Sequence, residues 1–458
     1  MIENDAFKLL LINLFHLNPD DIANIFCTTF NKMMVLLVTL ADKHQACPYC
    51  GFTAPKIKEY VTKEITHSAL TTQKCIIKYR ARRYKCPCCG KTYYEFNPFV
   101  FKSQKISILT VHNILKDLKD FNETFTSVAR RYHVSPTSVS TIFDNHVDIG
   151  RNPLPEIINF DEVYAFKSEK SKYVCVLLDF KKQIPVDVLP NRKKEYLLNY
   201  FQKIPLEERK KVKYACSDMY EVYRDVVHKV FPEAKHLLDY FHLSQDFHKK
   251  MNEVRIKVMK GYKDNKASDE YYLLKKFNWL LFKNPEDEDK YGRLFDVERE
   301  RKYNSHFKSY MNYYDLRKKI LEINNDLTIC YSLKLELVDF YSKSTIDNAQ
   351  VNLEHLIRSF IDTNIEEMIK FSNNLINWKQ EIINSFTIVG TEYKVEADKG
   401  QVVVCNKKVN NAIIENRNKI IKCIKNNANG YTNWSRFRNR VMYVLDPNAT
   451  FSLEPREK

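Results

Sequence analysis

Ile157-Ile-Asn-Phe-Asp161-Glu162, Tyr173-Val-Cys-Val-Leu-Leu-Asp179 and Ile184-Pro-Val-Asp-Val-Leu189 follow one another in close succession, each a short β-rich run. A helix-like stretch, Lys193–Lys211, separates them from a fourth such run, Val212-Lys-Tyr-Ala-Cys-Ser-Asp218. A second helix-like stretch, Tyr220–Phe231, leads to a fifth, Ala234-Lys-His-Leu-Leu-Asp239. The order is therefore three strands, helix, strand, helix, strand.

That order is the one of a ribonuclease-H-like mixed sheet, in which the first and fourth strands are neighbours. Asp161 and Asp218 end those two strands, 57 residues apart in the chain. A single strand-end Asp ordinarily caps a turn or a helix. A facing pair has another use: hard carboxylate oxygens hold Mg²⁺, and two such ions activate an attacking oxygen and stabilise a leaving one.

Downstream, residues 244–386 have helical periodicity and are rich in Lys, Tyr, Leu and Asn, with only Gly261 and Gly292 as glycines. They read as a helical insertion. The β-flavoured Thr387–Cys405 is expected to return the chain to the sheet. A final helix follows over Val409–Lys425, ending near Gly430, with Ile413, Ile420 and Ile424 as its buried stripe. Asn411, Glu415, Asn418 and Lys422 form a separate polar row. On spacing alone, Glu415 reads as a surface partner of Lys419 at i+4.

Upstream, the most ordered of the twelve cysteines form the knuckles Cys47-Pro-Tyr-Cys50-Gly51 and Cys86-Pro-Cys-Cys89-Gly90. Two residues between thiolates let one turn present both sulfurs to one ion, and the following Gly lets the backbone double back. Two knuckles complete a tetrahedral structural zinc site of Cys47, Cys50, Cys86 and Cys89; unrelated thiol pairs or a redox couple are the competing readings. Cys88 is the spare, because Cys86 with Cys89 repeats the first spacing. The alternating basic run Cys75–Lys85 suits a strand into the second knuckle and carries Arg80, Arg82 and Arg83 as candidate DNA contacts.

Thr124–Asn145 has the pattern of a helix-turn-helix. Val128, Ala129 and Tyr132 make one stripe, and Val139, Ile142 and Phe143 another. Ser135 is a natural N-cap and Pro136 a natural first helical residue. The second helix would offer Ser135, Thr137, Ser138 and Thr141 to a DNA groove. Further upstream, Ala6–Thr28 reads as an amphipathic helix, for core packing or for dimerisation.

Composition bounds these readings. The 458 residues are 44% hydrophobic and 28% charged, enough for several packed domains and too apolar for wholesale disorder. Eight glycines exclude collagenous and Gly-rich dinucleotide-binding designs. The excess of 73 Lys+Arg over 57 Asp+Glu, a net charge of +16, favours a polyanionic partner. The longest uncharged apolar run, Met33–Ala41, is too short for a membrane span. The acidic start Met-Ile-Glu-Asn-Asp lacks the basic region of a signal peptide, so a cytoplasmic protein is expected.

The ordered set of segments resembles bacterial insertion-sequence transposases of the DDE type, most closely the ISL-three family. The matching segments are the two knuckles, the Val128–Ile142 helical pair and Phe160-Asp-Glu162. Ser217-Asp-Met-Tyr-Glu-Val-Tyr223, Phe231-Pro-Glu-Ala234, Asp239-Tyr-Phe-His242 and Trp279–Asn284 follow. The last are Asn411-Ala-Ile-Ile-Glu415 with Asn418 and Lys422, and Gly430-Tyr-Thr-Asn-Trp434 with Phe437. The resemblance implies an α/β multidomain chain: an N-terminal helix and four-cysteine zinc-binding domain (1–100), a helix-turn-helix (101–150), and a ribonuclease-H-like core (151–245 and 387–458) interrupted by an all-helical insertion (246–386). It implies a catalytic triad of Asp161, Asp218 and Glu415 holding two Mg²⁺ ions, with Mn²⁺ as a substitute. Glu162, Asp239, His242, Asn418 and Lys422 are implied as supporting residues. The implied partners are the terminal inverted repeats of an element and its target DNA, bound by a homodimer associated with the nucleoid. A domesticated DNA-binding regulator and a nuclease of the same core fold are the alternatives.

Overall fold

The computed structural model describes residues 2–43, 46–68, 70, 72–101, 104–166, 171–395 and 402–456. The chain opens with helix α1 (Ile2–Leu14), followed by strands β1 (Ile22–Phe30), β2 (Met33–Leu40), β3 (Lys56–Thr66), β4 (Cys75–Lys85) and β5 (Thr92–Tyr94). Their sheet runs β1-β2-β4-β3, with β5 on the end of β4 and only the β2–β4 pair parallel. The expected helix over Ala6–Thr28 is thus half its length. His16 takes a left-handed φ of 50° and Pro19 follows, and the β-branched run Ile22–Thr29 pairs with β2 instead. Asn31 and Lys32 close that hairpin with φ of 48° and 60°, the twist a two-residue turn requires. Leu11, Ile12 and Phe15 bury α1 against this sheet.

Three helices come next: α2 (Ile108–Asp117), α3 (Phe125–Arg131) and α4 (Pro136–His146). They enclose a small core of Val111, Ile114, Val128, Ala129, Val139 and Phe143. Thr124 and Ser127 form a reciprocal capping box on α3, and Ser135 caps α4 through the Ser138 N–H.

The second sheet comprises β6 (Ile157–Val163), β7 (Val174–Asp179), β8 (Ile184–Leu189), β9 (Tyr214–Ser217) and β10 (Lys235–Leu238), ordered β10-β9-β6-β7-β8. β10, β9 and β6 are parallel; β7 and β8 are antiparallel. Between β8 and β9 lie α5 (Lys194–Gln202) and a short α6 (Leu206–Arg209), and between β9 and β10 lies α7 (Glu221–Val230). α5 and α7 cover one face through Phe160, Leu177, Phe201 and Val226.

The chain then forms α8 (Tyr240–Lys260) and α9 (Asp269–Lys276) before two small hairpins, β11 (Glu288–Asp289) with β12 (Gly292–Arg293) and β13 (Lys302–Asn304) with β14 (Ser309–Met311). Helices α10 (Tyr313–Glu322), α11 (Asn325–Lys343), α12 (Ala349–Asp362), α13 (Glu366–Asn377) and α14 (Lys379–Asn384) complete this region. It has its own core, from Phe247 and Met251 to Phe371 and Trp378. The expectation of an all-helical segment is corrected by the hairpins, whose turns use positive φ at Gly292 (97°) and Lys308 (48°).

Among the described residues, β15 (Ile388–Val395) and β16 (Val402–Lys408) pair only with each other. They do not rejoin the five-stranded sheet, as the sequence suggested. α14 lies along the edge strand β10, and Asn384 Nδ2 donates to the His236 carbonyl at 2.9 Å. The last elements, α15 (Ala412–Asn427) and α16 (Trp434–Leu445), cover the other face of the sheet through Ile414, Ile421, Phe437 and Val441. The buried stripe of α15 is therefore Ile414, Ile421 and Ile424; Ile413 and Ile420 are only half-buried. Gly430 ends this turn with φ 98°.

Candidate active site and cysteine knuckles

Parallel register brings the acids together. Asn159 pairs with Cys216, and Cys216 with Leu237, across three adjacent parallel strands. Two residues further along each strand stand Asp161, Asp218 and Asp239, level with one another and of the same parity, so they project to one face. This is the carboxyl end of the parallel strands, where open α/β sheets form their crevices.

α15 closes the crevice from above. Asn411 anchors its start: its Nδ2 donates to the Phe160 carbonyl (3.2 Å), its Oδ1 accepts from Asn159 (2.7 Å), and its backbone N–H donates to Asp239 Oδ1 (3.1 Å). One turn on, Glu415 faces His242, with 3.7 Å between Oε1 and Nε2. Another turn on, Asn418 Nδ2 donates to Asp161 Oδ2 at 2.7 Å. His242 Nε2 is also 3.8 Å from Asp239 Oδ2. The ligand atoms of Asp239, His242 and Glu415 lie within 4.8 Å of one another.

The electrostatics match this crowding. Asp161 is pushed up to about 7, first by burial and then by the charge of Asp218, with Glu415 and Asp239 adding and His242 opposing. Burial also raises Asp218 and Asp239, again against the pull of His242. Asp218 Oδ1, Asp239 Oδ2, His242 Nε2 and Asn418 Oδ1 are buried without a hydrogen-bond partner among the described residues. Unsatisfied buried acceptors are costly, and these fit the oxygen-rich shell of a hard divalent cation.

Asp239 and His242, supporting residues in the sequence reading, have ligand atoms within 4.8 Å of that of Glu415. Their signal was present: Asp-x-x-His at a helix start puts both side chains on one face. Glu162 instead alternates to the opposite face of β6, held by Arg192 and by the Tyr223 hydroxyl (3.3 Å). Lys422 is exposed on α15. Lys419 hydrogen-bonds Asn416 rather than Glu415.

The four knuckle cysteines also converge. Cys47 Sγ lies 3.7 Å from Cys89 Sγ, and Cys50 Sγ lies 3.5 Å from Cys86 Sγ. Zinc with ~2.3 Å bonds to sulfur has a tetrahedral edge of roughly 3.8 Å, so the set is compatible with a structural zinc. Each knuckle closes by a Gly N–H donating to the first Cys carbonyl at 2.9 Å, with φ of 74° at Gly51 and 71° at Gly90. The Cys86 thiol is drawn down to about 7, chiefly by the Cys89 N–H. Tyr84 and Tyr93 pack against the cluster. Cys88 is exposed beside it.

Of the candidate DNA contacts, Ser135, Thr137 and Thr141 are exposed on α4, and Ser138 is half-buried. Arg80 is exposed and stacks over Tyr60 at 4.8 Å. Arg83 pairs with Glu59 at 2.6 Å. Arg82 is engaged inside the domain, bonded to Glu95 (2.8 Å) and to the Leu40 carbonyl (3.1 Å). Among the described residues no helix is long and apolar enough to cross a membrane.

Two comparisons bear on this arrangement. Residues 158–397 match a family model described as a transposase, of the DDE ISL-three type. The chain is also 19% identical over 409 residues to the transposase for insertion sequence element IS1001 of Bordetella parapertussis, covering 89% of this chain and 90% of that protein.

Proposed function

The chain belongs to the ISL-three family of DDE transposases, and we propose that it binds the terminal inverted repeats of an insertion sequence, cleaves the DNA ends and joins them to target DNA. The observation that carries this reading is the register that sets Asp161, Asp218 and Asp239 level, with Glu415 facing them from α15. Asp161, Asp218 and Glu415 would hold two Mg²⁺ ions, with Asp239 and His242 close enough to share the task. When bound, such ions stabilise charge on the attacking and leaving oxygens of an in-line phosphoryl displacement.

The protein's own part is placement. Asn418 fixes one oxygen of Asp161, Asn411 ties the start of α15 to Asp239, and the Asp161 carboxyl, raised by burial and by Asp218, would bind a cation in its deprotonated form. Water or a freed 3′-hydroxyl would be the attacking group in the two stages. The five-stranded sheet would be a ribonuclease-H-like core over 151–245 and 387–458, with 246–386 inserted. The four-cysteine region over 1–100 and the α3–α4 pair within 101–150 would grip the repeats, as a homodimer on paired ends in the bacterial cytoplasm. The net charge of +16 suits that partner.

The test is a duplex carrying the inverted repeat that flanks the gene, incubated with Mg²⁺ or Mn²⁺. Nicking by wild type, its loss in Asp161→Ala and unchanged binding by that variant are expected. Equal cleavage by both proteins would overturn the assignment. Tight binding without any cleavage would indicate a regulator, and cleavage without joined products a nuclease.

A further inference from the structure

A second set of metal-ligating side chains converges away from the acidic crevice. His228 lies near the end of α7, His236 is the second residue of β10, and Glu381 lies in the first turn of α14. Their ligand atoms all lie within 4.8 Å of one another. His236 is 1% exposed and Glu381 5%, whereas His228 faces solvent and gives an ion a way in.

One ring nitrogen of His236 is already occupied: Nε2 lies 2.9 Å from Ser217 Oγ. The other, Nδ1, is buried without a hydrogen-bond partner among the described residues. It points toward Glu381, whose Oε1 is 3.9 Å away, too far for a hydrogen bond. Two ligands held ~2.0–2.1 Å from a tetrahedral zinc stand roughly 3.4 Å apart, so a small closure seats an ion between them. The facing cation is Arg224, stacked over Trp378 at 4.3 Å and donating to the Asn377 carbonyl at 2.9 Å; the Glu381 carboxylate offsets its charge.

We propose that His228, His236 Nδ1 and Glu381 bind a divalent transition-metal ion of the zinc class, with solvent completing its coordination. Two imidazoles and one carboxylate prefer such a borderline ion to Mg²⁺. The ion would tie α7 and β10 to α14, at the end of the helical region. Its influence would reach the acidic crevice, because Ser217 Oγ, bonded to His236, is also 2.8 Å from the Asp218 carbonyl. The inference depends neither on the transposition chemistry nor on the cysteine site.

Full-length wild type, His228→Ala and Glu381→Gln would be dialysed against micromolar zinc with millimolar Mg²⁺ present; any zinc taken by the acidic crevice is common to all three proteins and drops out of the difference. Zinc per chain is then counted by atomic emission. Each variant should hold one zinc fewer than wild type, with an unchanged far-UV circular dichroism spectrum, and His228→Ala should show a smaller zinc-dependent rise in Tm than wild type. Because His228 is exposed, its truncation leaves the fold intact, so an equal zinc count in wild type and His228→Ala would overturn the proposal. Cys50→Ser, which removes a knuckle ligand, should lose a zinc independently of either variant.

Discussion

The cysteine cluster and the acidic crevice solve the same problem, gathering ligand atoms, by opposite means. In the first, each pair of sulfurs comes from one tight turn, and two backbone hydrogen bonds per knuckle fix its shape. In the second, Asp161, Asp218 and Asp239 stand at the ends of three strands and are levelled by the register of the sheet, whereas His242 and Glu415 are brought up by the packing of α8 and α15. The knuckle sulfurs sit at the rim of a small sheet; the carboxylates lie under α15 with several oxygens unsatisfied. A local site tolerates change elsewhere in the molecule. A site built from distant elements is as exact as the packing that carries them, and under the proposed function its crowded carboxylates hold a repulsion that a cation would relieve.

The sharpest break between the two comes from removing one ligand at each. Asp161→Asn should lower cleavage roughly a thousandfold while DNA-end binding persists, measured by nicking and by mobility shift on the same duplex. Cys50→Ser should do the reverse, weakening end binding by about tenfold or more as the knuckle loses its metal-coupled fold, with Mg²⁺ binding at the crevice retained. If Cys50→Ser abolished Mg²⁺ binding too, the two sites would not be separable in this way. Asn418→Ala removes a partner rather than a ligand; it should raise the Mg²⁺ concentration for half-maximal cleavage by ~10–100-fold.

A pH series sharpens the stored repulsion. Because Asp161 is held near 7, above its ordinary acidic range, the folded metal-free chain keeps a proton that the unfolded chain releases. Its contribution to stability is therefore lost as pH rises from about 4 to about 7. The Tm gap between Asp161→Asn and wild type should widen by ~2–4 °C across that window and then level off; a constant gap would refute it. Smallest of all, Gly51→Ala forces a Cβ into φ 74° and should cost about 1–2 kcal/mol locally, read as a roughly 5- to 30-fold weaker zinc affinity.

What was legible in the sequence follows the same division. The knuckles and the strand Cys75–Lys85 were visible because short-range spacing and alternation dictate them. The strand order placing Asp161 near Asp218 was also readable, since each β-run is bounded by polar turns. Elsewhere tertiary contacts decided. Ile22–Phe30 has a helix-compatible pattern, and only its partner Met33–Leu40 makes it a strand. On α15 the buried face turns one residue from the expected one, because Asn418 and Ile414, rather than Ile413, must face β6. The closeness of Asp239 and His242 to Glu415 depends on how α8 and α15 meet, which no spacing along the chain encodes.

α16 has one further consequence. Its Tyr443 hydroxyl donates to the Leu115 carbonyl (3.0 Å), Arg440 to those of Asp120 (2.8 Å) and Glu123 (2.7 Å), and Arg436 grips Asp144 on α4 (2.9 Å). The same helix packs Val441 and Met442 onto the five-stranded sheet, and Arg438 donates to Asp187 at 2.7 Å. Under the proposed function, the helix that touches the repeat and the crevice that cuts it are bolted to one strut, making the molecule a caliper. Inserting base pairs between the contacted bases and the cut point should then move the nick by the inserted length, rather than leave it at the original phosphate.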